Sequence, residues 1–357
     1  MNSGGLPVHL LVEEGVYDRI PEVAADILGD IGARRSLVLT QYEASDKYPQ
    51  VIETITGAFP GAEVRLSGTA FYEDALSFAR YITGGDIRMV FAFGDTDLLN
   101  LAKYAGYMAR VPVVCIALTL DSDSIAAPAA VLRPAEGKAR KAYHCAVPAA
   151  VLVDIDIVSK APELELKTGT ADVISKFSSL YDWRLAEARN HDRVNDFAYM
   201  MTEMALNSIR FSEDSDLTGR DSVARLAEAL IMCGLSVQVA DTFAPVSGSE
   251  HTFAYALETY YADQVKIPRG IAAAMGTYAS AVFQDRPVDR FCQLIKKYKF
   301  QIRPSFWGID SELFAGAWLK AAHTRPDLYT VLYETHLNEQ KLHSIYEEME
   351  LVLEGDR

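Results

Sequence analysis

Cysteine is scarce in this chain, and its few thiols are far apart. The 357 residues include four cysteines, Cys115, Cys145, Cys233 and Cys292, and none of them forms a Cys-x-x-Cys pair. Paired cysteines are the usual signature of disulfide frameworks and structural zinc sites. The sequence therefore predicts reduced, buried thiols in a cytoplasmic protein.

Basic residues are also in short supply. The chain has 34 lysines and arginines against 49 aspartates and glutamates, which gives a net charge of −15. Proteins that bind nucleic acid non-specifically need a basic face, so we expect no nucleic-acid partner. This balance is still compatible with a local basic pocket for a small anion.

Targeting and membrane-spanning segments are not evident in the sequence. Residues Met1 to Val12 lack a charged segment followed by a long apolar one, so no signal peptide is predicted. No apolar run approaches the roughly 20 residues that cross a bilayer, so we expect no membrane partner. Half of the residues are hydrophobic, and 357 residues exceed most single cores, which favours a soluble protein of two domains.

The first part of the chain alternates short apolar runs with amphipathic stretches. Short apolar runs predict five strands, at Ser36–Thr40, Ala62–Leu66, Arg88–Phe93, Val111–Leu118 and Val151–Ile157. Most of them are rich in Val, Ile and Leu, as strands covered on both faces should be. Helical patterns lie between them at Pro21–Leu28, Tyr48–Ala58, Tyr72–Ile82 and Asp97–Ala109. This alternation is typical of a parallel, doubly wound sheet.

From about Pro162 the pattern becomes helical. The predicted helices are Ala171–Asn190, Asp192–Phe211, Arg220–Cys233, Glu250–Gln264, Ile271–Phe283 and Asp310–His323. We therefore expect an α/β Rossmann-like domain over residues 1–160 and an all-α domain over residues 161–357. Open α/β sheets bind ligands at the carboxyl ends of their strands, so we expect the site in the cleft between these domains.

Five motifs now point to one family. In order and spacing, the chain resembles the sn-glycerol-1-phosphate dehydrogenase branch of the iron-containing alcohol dehydrogenase and dehydroquinate synthase superfamily, over nearly its whole length. The motifs are Phe93–Lys103, Asp121–Pro128, Gly169–Arg184, Ser247–His251 and Arg325–Thr330. The resemblance implies a dehydroquinate synthase-like fold, NAD(P), a zinc or iron ion, and a small phosphorylated or polyhydroxy substrate. We also expect a homodimer or a higher homo-oligomer.

The metal motif departs from the family pattern at one ligand. The resemblance implies that Asp172 and His251 bind the metal, which would act as a Lewis acid on the substrate oxygen. The family's second histidine precedes a glycine, and in this chain Arg269 stands before Gly270. A guanidinium has no lone pair for a metal, and catalytic zinc sites generally need three protein ligands. The sequence therefore makes metal binding doubtful.

Three interpretations of Arg269 are open. In the first, Arg269 replaces the metal as a fixed positive charge, either paired with Asp172 or bound to a substrate phosphate or carboxylate. In the second, it points to solvent and the site is inactive. In the third, the alignment is shifted and Tyr261 or Asp263 supplies the ligand. Tyr255 is a further departure, since the family often has histidine there.

The nucleotide motif has also changed. The family has three glycines where this chain has Gly94, Asp95 and Thr96, and the resemblance assigns this loop, with Lys103 and Asp123, to the cofactor. Asp95 would place a carboxylate beside two phosphates. Either the loop shifts and NAD(P) still binds, or dinucleotide binding is weakened or lost. Asp95 is alternatively a helix cap. In the family, the position of Asp123 faces the nicotinamide and substrate.

Three functions are compatible with these residues. The first is a dehydrogenase-like oxidoreductase that uses Asp123, Asp172, Lys176 and His251. The second is a metal-free enzyme, independent of NAD(P), in which Asp172, Lys176, His251 and Arg269 perform acid–base chemistry on a small anionic substrate. The third is a non-catalytic binding or scaffold protein. Lys176, one turn after Asp172, either binds a substrate anion or forms an ordinary helix ion pair.

Overall fold

The computed structural model describes residues 5–29, 35–135 and 140–353. Two compact units make up the chain. The first comprises Met1–Leu166 together with Thr218–Gln238, and the second comprises Lys167–Leu217 together with Val239–Arg357. The segment Thr218–Gln238 therefore packs with the first unit, although it lies in the sequence range predicted for the helical domain.

A parallel sheet forms the centre of the first unit. Its strands are β1 His9–Glu13, β2 Ser36–Thr40, β3 Ala62–Leu66, β4 Met89–Gly94, β5 Val113–Ala117 and β8 Ala150–Asp154, and a separate antiparallel pair is formed by β6 Ala129–Leu132 and β7 Lys141–His144. The order in the sheet is β1-β8-β5-β4-β2-β3, with every neighbouring pair parallel. Strands β2, β4, β5 and β8 are buried throughout, as expected when helices cover both faces.

The helices follow the alternation that the sequence predicts. Those of the first unit are α1 Ile20–Leu28, α2 Tyr42–Lys47, α3 Pro49–Ala58, α4 Tyr72–Gly84, α5 Thr96–Ala109 and α6 Ile155–Val158. Later in the chain come α7 Glu163–Ala188, α8 Asp196–Arg210, α9 Arg220–Ala240, α10 Ser249–Tyr260, α11 Arg269–Phe283, α12 Asp289–Lys297, α13 Ser311–Ala321 and α14 Glu339–Val352. The predicted α/β Rossmann-like domain followed by a helical part is confirmed.

Helix α9 qualifies as a membrane span by length and composition alone. It has 21 residues, and one of its 18-residue windows is apolar enough to cross a membrane. About 61% of its most apolar stretch is buried inside the protein. Such burial is typical of a core helix, whose apolar residues pack against protein instead of lipid.

An aromatic cluster holds the helices that carry the candidate site. Trp318 on α13 stacks on Phe253 of α10 at 4.7 Å between ring centroids, and Phe283 of α11 meets the Trp318 ring edge-on at 5.0 Å. Trp318 and Phe253 are fully buried. Large buried rings contribute much of the packing energy of a core, so this cluster fixes α10 relative to α11.

Candidate functional site

A buried carboxylate joins two cationic side chains in the second unit. Asp172 on α7 accepts hydrogen bonds at its Oδ1 from the Lys176 Nζ at 3.1 Å and from the His251 Nε2 at 3.2 Å. All three side chains are buried. Lys176 follows Asp172 by four residues, so the helix itself brings them together, whereas His251 comes from α10.

The second carboxylate oxygen of Asp172 takes no part in these two hydrogen bonds. Its Oδ2 is buried and has no hydrogen-bond partner among the described residues. A buried carboxylate oxygen without a donor costs free energy, and such atoms commonly face a ligand. A substrate hydroxyl is one group that could donate to it.

Glu250 orients the imidazole from the other side. Its Oε1 lies 2.7 Å from the His251 Nδ1 and also accepts a hydrogen bond from the Gly248 backbone at 2.8 Å. The Ser178 hydroxyl donates to its Oε2 at 2.6 Å. Both ring nitrogens therefore face carboxylates. An ionised carboxylate can accept hydrogen bonds but cannot donate them, so the contacts suit a protonated imidazole, in which both nitrogens donate.

Electrostatics within this group favours charged forms. Burial alone would raise the pKa of Asp172, but the Lys176 ammonium and the His251 hydrogen bond outweigh it and hold that pKa well below its usual range. For His251, burial and the Lys176 charge lower the pKa, and hydrogen bonds to Asp172 and Glu250 more than offset them, so the pKa is raised. The group therefore holds a proton on His251 beside an ionised Asp172.

The start of α10 is anchored on α7 by Asp182. Its Oδ2 accepts hydrogen bonds from both the backbone N–H and the hydroxyl of Ser249 at 2.7 Å. Burial, followed by the nearby Glu250 carboxylate, raises the pKa of Asp182 to about 6. Because Ser249 begins α10, this contact sets where His251 enters the site.

Arg269, which the resemblance places at the third metal ligand, begins α11 and pairs with a glutamate of α10. The next residue, Gly270, packs so tightly on α7 that an added Cβ would overlap the Thr168 carbonyl oxygen and lie 3.2 Å from the Asp172 Cβ. The Arg269 guanidinium nevertheless donates to both oxygens of Glu258, from Nε at 2.9 Å and from Nη2 at 2.8 Å.

This pairing bears on each interpretation of Arg269. Glu258 is a partner of Arg269, and the Arg269 side chain is only 23% exposed, so it does not simply point to solvent. It also lies over the Tyr255 ring at 5.2 Å. The Tyr261 hydroxyl accepts a hydrogen bond from Lys320 at 3.0 Å. The structure thus presents Arg269 as a fixed, partnered charge.

The residues present do not fit the family's metal ion. Within the described residues, no group of three His, Cys, Asp or Glu side chains is arranged to hold a metal. Asp172 and His251 are two ligands of the expected kind. The Lys176 ammonium, however, contacts the same Asp172 oxygen, Oδ1, that His251 contacts. A neighbouring ammonium opposes a dication at the same oxygen.

The nucleotide loop of the first unit is closed on itself. Asp95 caps α5, accepting a hydrogen bond from the Leu98 backbone at 3.0 Å. Its other carboxylate oxygen accepts a hydrogen bond from the Gln41 amide at 2.7 Å, and the Asp95 backbone donates to the Gln41 Oε1 at 3.0 Å. The capping role that the sequence analysis weighed for Asp95 is what the structure shows.

Protein atoms also fill the space beside Gly94. A Cβ built there would overlap the Leu98 side chain and lie 2.8 Å from the Gln41 Oε1. In dinucleotide-binding loops, that kind of space lets the backbone approach the pyrophosphate. In this structure, Gln41 and Leu98 occupy the space beside Gly94.

Two further carboxyl groups lie near Asp95. Thr96 and Thr119 both donate to Asp121 from their hydroxyls, and burial raises the pKa of Asp121. Glu165 has a pKa raised to about 7, first by burial and then by the charges of Asp121 and Asp95. In their ionised forms, these carboxyl groups would repel a phosphate.

The remaining predicted cofactor residues serve the local fold. The buried Lys103 ammonium donates to the carbonyl oxygens of Ser124, Ala127 and Ala129, the last two at 3.2 and 2.5 Å. Burial lowers its pKa. Asp123 begins a short 3₁₀ turn between β5 and β6. Lys103 therefore ties this turn and β6 to α5.

Sequence reasoning missed two partners, Glu258 and Gln41. Glu258 follows His251 by seven residues and Tyr255 by three, so helical spacing places all three on one face of α10. Gln41 directly follows β2, which neighbours β4 in the sheet, and β4 ends at Gly94. Both positions can be read from the sequence, but only the structure shows which side chains they pair with.

Comparison with known proteins agrees with this architecture. A model of the iron-containing alcohol dehydrogenase family matches residues 12–162. The fold resembles a probable glycerol dehydrogenase from Sinorhizobium meliloti 1021, with a TM-score of 0.79, 15% identity and 99% of each chain covered. It also resembles sulfoacetaldehyde reductase from Bifidobacterium kashiwanohense in complex with NAD+, with a TM-score of 0.73, 14% identity and 97% of each chain covered. The class of fold is thus the one that these solved structures share.

Curated relatives narrow this class to one family. The chain is 30% identical to glycerol-1-phosphate dehydrogenase [NAD(P)+] from Thermoplasma acidophilum over 334 residues, covering 89% of this chain and 90% of the relative. It is 29% identical to the protein of the same name from Thermofilum pendens, with 94% of each covered. The chain belongs to the glycerol-1-phosphate dehydrogenase family and is an enzyme of the dehydrogenase superfamily.

Proposed function

We propose that this chain is an oxidoreductase for a small phosphorylated or polyhydroxy substrate, and that Lys176 and His251 take the place of the metal. One observation supports this most directly. Asp172 binds both cationic side chains through a single oxygen, which gathers two positive charges beside a buried carboxylate. Relatives named for glycerol 1-phosphate support the substrate class.

The proposed chemistry concerns the reacting oxygen of the substrate. Reduction of a carbonyl needs a hydride, which NAD(P)H would supply when bound. Negative charge then develops on the carbonyl oxygen, and preorganised cations stabilise that charge. Lys176 supplies a fixed positive charge there. His251 supplies the proton, because its contacts with Asp172 and Glu250 favour the imidazolium. The unpartnered Oδ2 of Asp172 accepts a hydrogen bond from a neighbouring substrate hydroxyl.

Turnover by purified protein that contains no bound metal is the measurement that tests this proposal. The probe is glycerol 1-phosphate with NAD+ or NADP+, in purified protein whose metal content is measured. We expect no stoichiometric zinc or iron and turnover that chelator leaves unchanged. Lys176→Met and His251→Ala should each lower kcat by about 100-fold or more, the usual contribution of acid–base groups.

His323→Ala is the matched control, because His323 is exposed and lies outside this group. It should keep wild-type kcat, and thermal melting should show that every variant is folded. Tightly bound stoichiometric metal, or activity abolished by chelator, would contradict the metal-free assignment. Failure to turn over glycerol 1-phosphate with either cofactor would contradict the substrate and redox assignment.

A second candidate function is proton transfer without NAD(P). The specific observation is the closed loop, in which Gln41 binds Asp95 and fills the space beside Gly94. An enzyme of this kind would use the same Asp172, Lys176 and His251 on a small anionic substrate.

Cofactor titration separates the two candidates. If the loop stays closed, calorimetry with NADH and NADPH should show no micromolar binding to wild type. Asp95→Gly and Gln41→Ala should each tighten binding at least about tenfold, because they remove the carboxylate or open the space. Micromolar affinity in the wild type would reject the second candidate.

The setting of the protein is part of the proposal. All four cysteines are free and buried, as the sequence analysis predicted, which suits a reducing compartment. We therefore place the protein in the cytoplasm. We also propose that it forms a homodimer or a higher homo-oligomer.

A further inference from the structure

A cavity lined by residues outside the Asp172 group lies in the second unit. It has a volume of about 560 Å³ and is bounded by the end of α8, the residues after it, and α12. Its lining includes Arg210, Phe211, Glu213, Arg290 and Lys297. Small-molecule sites commonly span about 300–1,000 Å³, so this volume suits a ligand of nucleotide size.

Positive charge dominates the lining. Three cationic side chains, Arg210, Arg290 and Lys297, face one carboxylate, Glu213, in a chain whose net charge is −15. Neither Arg210 nor Arg290 forms an ion pair within the part of the chain that the structure describes. Nearby, burial and then the charge of Arg210 lower the pKa of Arg286. Cationic side chains therefore outnumber acidic ones in this lining.

Helix ends explain only part of this charge. Arg210 and Lys297 lie in the last turns of α8 and α12, where cations offset the helix dipole. Arg290 is the second residue of α12, at the end where the dipole is positive and a cation is unfavourable. An anion bound in the cavity would relieve that repulsion.

An exposed aromatic ring lies beside these cations. Phe211 is 68% exposed, which is unusual for phenylalanine, and the Arg210 guanidinium lies 4.9 Å from its ring centroid. The Lys297 ammonium donates to the Ser212 backbone carbonyl, which holds the segment that carries the ring. Exposed rings next to cations commonly stack with the bases of nucleotides.

We propose that this cavity binds a phosphate-bearing anion with a planar ring, of the mononucleotide class. Arg290 and Lys297 bind the phosphates, and Phe211 stacks on the ring. The site is separate from Gly94 and Asp95, which lie in the other unit. It does not depend on the function proposed for Asp172.

Calorimetry on the full chain tests this, with ADP and inorganic pyrophosphate as the two probes. We expect ADP to bind with a dissociation constant below about 1 mM, at least about fivefold more tightly than pyrophosphate. Arg290→Gln and Lys297→Gln should each weaken ADP binding about tenfold or more, since each removes a charged phosphate contact. Phe211→Ala should reduce ADP affinity to that of pyrophosphate.

Arg193→Gln serves as the control, because Arg193 is an exposed arginine of the same unit outside the cavity. It should bind ADP as the wild type does. The proposal is overturned if ADP does not bind below about 1 mM, or if Arg290→Gln binds within twofold of wild type. Equal binding of ADP and pyrophosphate would overturn the nucleotide class. All the substituted side chains are solvent-accessible, so the variants should fold, and thermal melting checks this.

Discussion

Arg269 shows how one residue changes a site together with its neighbours. The residue stands where the family has a histidine, and Glu258 and Tyr255, both on α10, provide its ion pair and its stacking ring. A planar guanidinium suits this arrangement, because it can donate to both carboxylate oxygens and lie on a ring at once. Two residues of α10 therefore hold the charge at position 269.

Glu165 is a second residue whose environment has a measurable consequence. Its pKa is raised to about 7 from the ordinary 4.5, by burial and by Asp121 and Asp95. Between these values the folded protein keeps a proton that the unfolded chain loses, so this group's contribution to stability falls as pH rises from about 4.5 to 7. Above pH 7 the full cost of the buried charge is present.

Glu165→Gln should therefore stabilise the protein at pH 8 and have little effect at pH 5. We expect a gain of about 1 kcal/mol at pH 8, less than the full electrostatic cost because the side chain is partly solvated. Denaturant unfolding at the two pH values measures it. Glu163→Gln, on the same turn of α7 but exposed, should give no such gain. An equal effect of Glu165→Gln at both pH values would contradict the assigned cause.

At the scale of elements, close helix contacts set the site. Asp172 lies on α7, His251 on α10, and α11 begins at Arg269. The approach of α11 to α7 depends on Gly270, because a larger residue would overlap the Thr168 carbonyl. The family's His-Gly pair is thus half preserved, since the glycine is needed for packing even where the histidine is gone.

Gly270→Ala should destabilise the protein and disturb the site. The added methyl group must push α11 away from α7, which costs about 2 kcal/mol as a typical overpacking penalty. Chemical denaturation gives the change in the free energy of unfolding. Gly57→Ala is the matched control, because Gly57 lies in α3 with nothing within 4 Å of an added Cβ. It should stabilise by roughly 0.5–1 kcal/mol, since alanine favours helix. Equal effects of the two changes would refute the packing argument.

The sequence predicted most elements but not every one. Four of the five predicted strands, β2, β3, β4 and β5, begin and end within two residues of their predicted bounds. Continuous apolar runs mark β2, β4 and β5, whereas β3 lies at the sheet edge and is partly exposed. Strand β1 was not predicted. It lies at the sheet edge and is only partly buried, so its alternation is weak. The β6–β7 pair was also missed, since its strands have four residues each.

At the scale of the whole molecule, the two compact units contain different candidate binding features. The first has the sheet and the nucleotide loop of the family, and the second has the Asp172 group and the cationic cavity. Full-length similarity to glycerol-1-phosphate dehydrogenases relates both units to one family. Membership establishes the scaffold, whereas the chemistry depends on the few side chains that have changed.

The sequence by itself determined the fold class, the family and the two altered positions, Asp95 and Arg269. These follow from periodicity and from residue identity, which are local properties of the chain. It also placed Lys176 one turn from Asp172, since helical spacing requires this.

Only the tertiary structure decided which partner each altered side chain takes. Asp95 binds Gln41, 54 residues earlier, and Arg269 binds Glu258, 11 residues earlier across a helix boundary. A charged side chain pairs with whichever group the fold brings within about 3 Å, and that distance is set by packing between segments remote in sequence. For that reason the residues that close the nucleotide loop and hold Arg269 could be identified only in three dimensions.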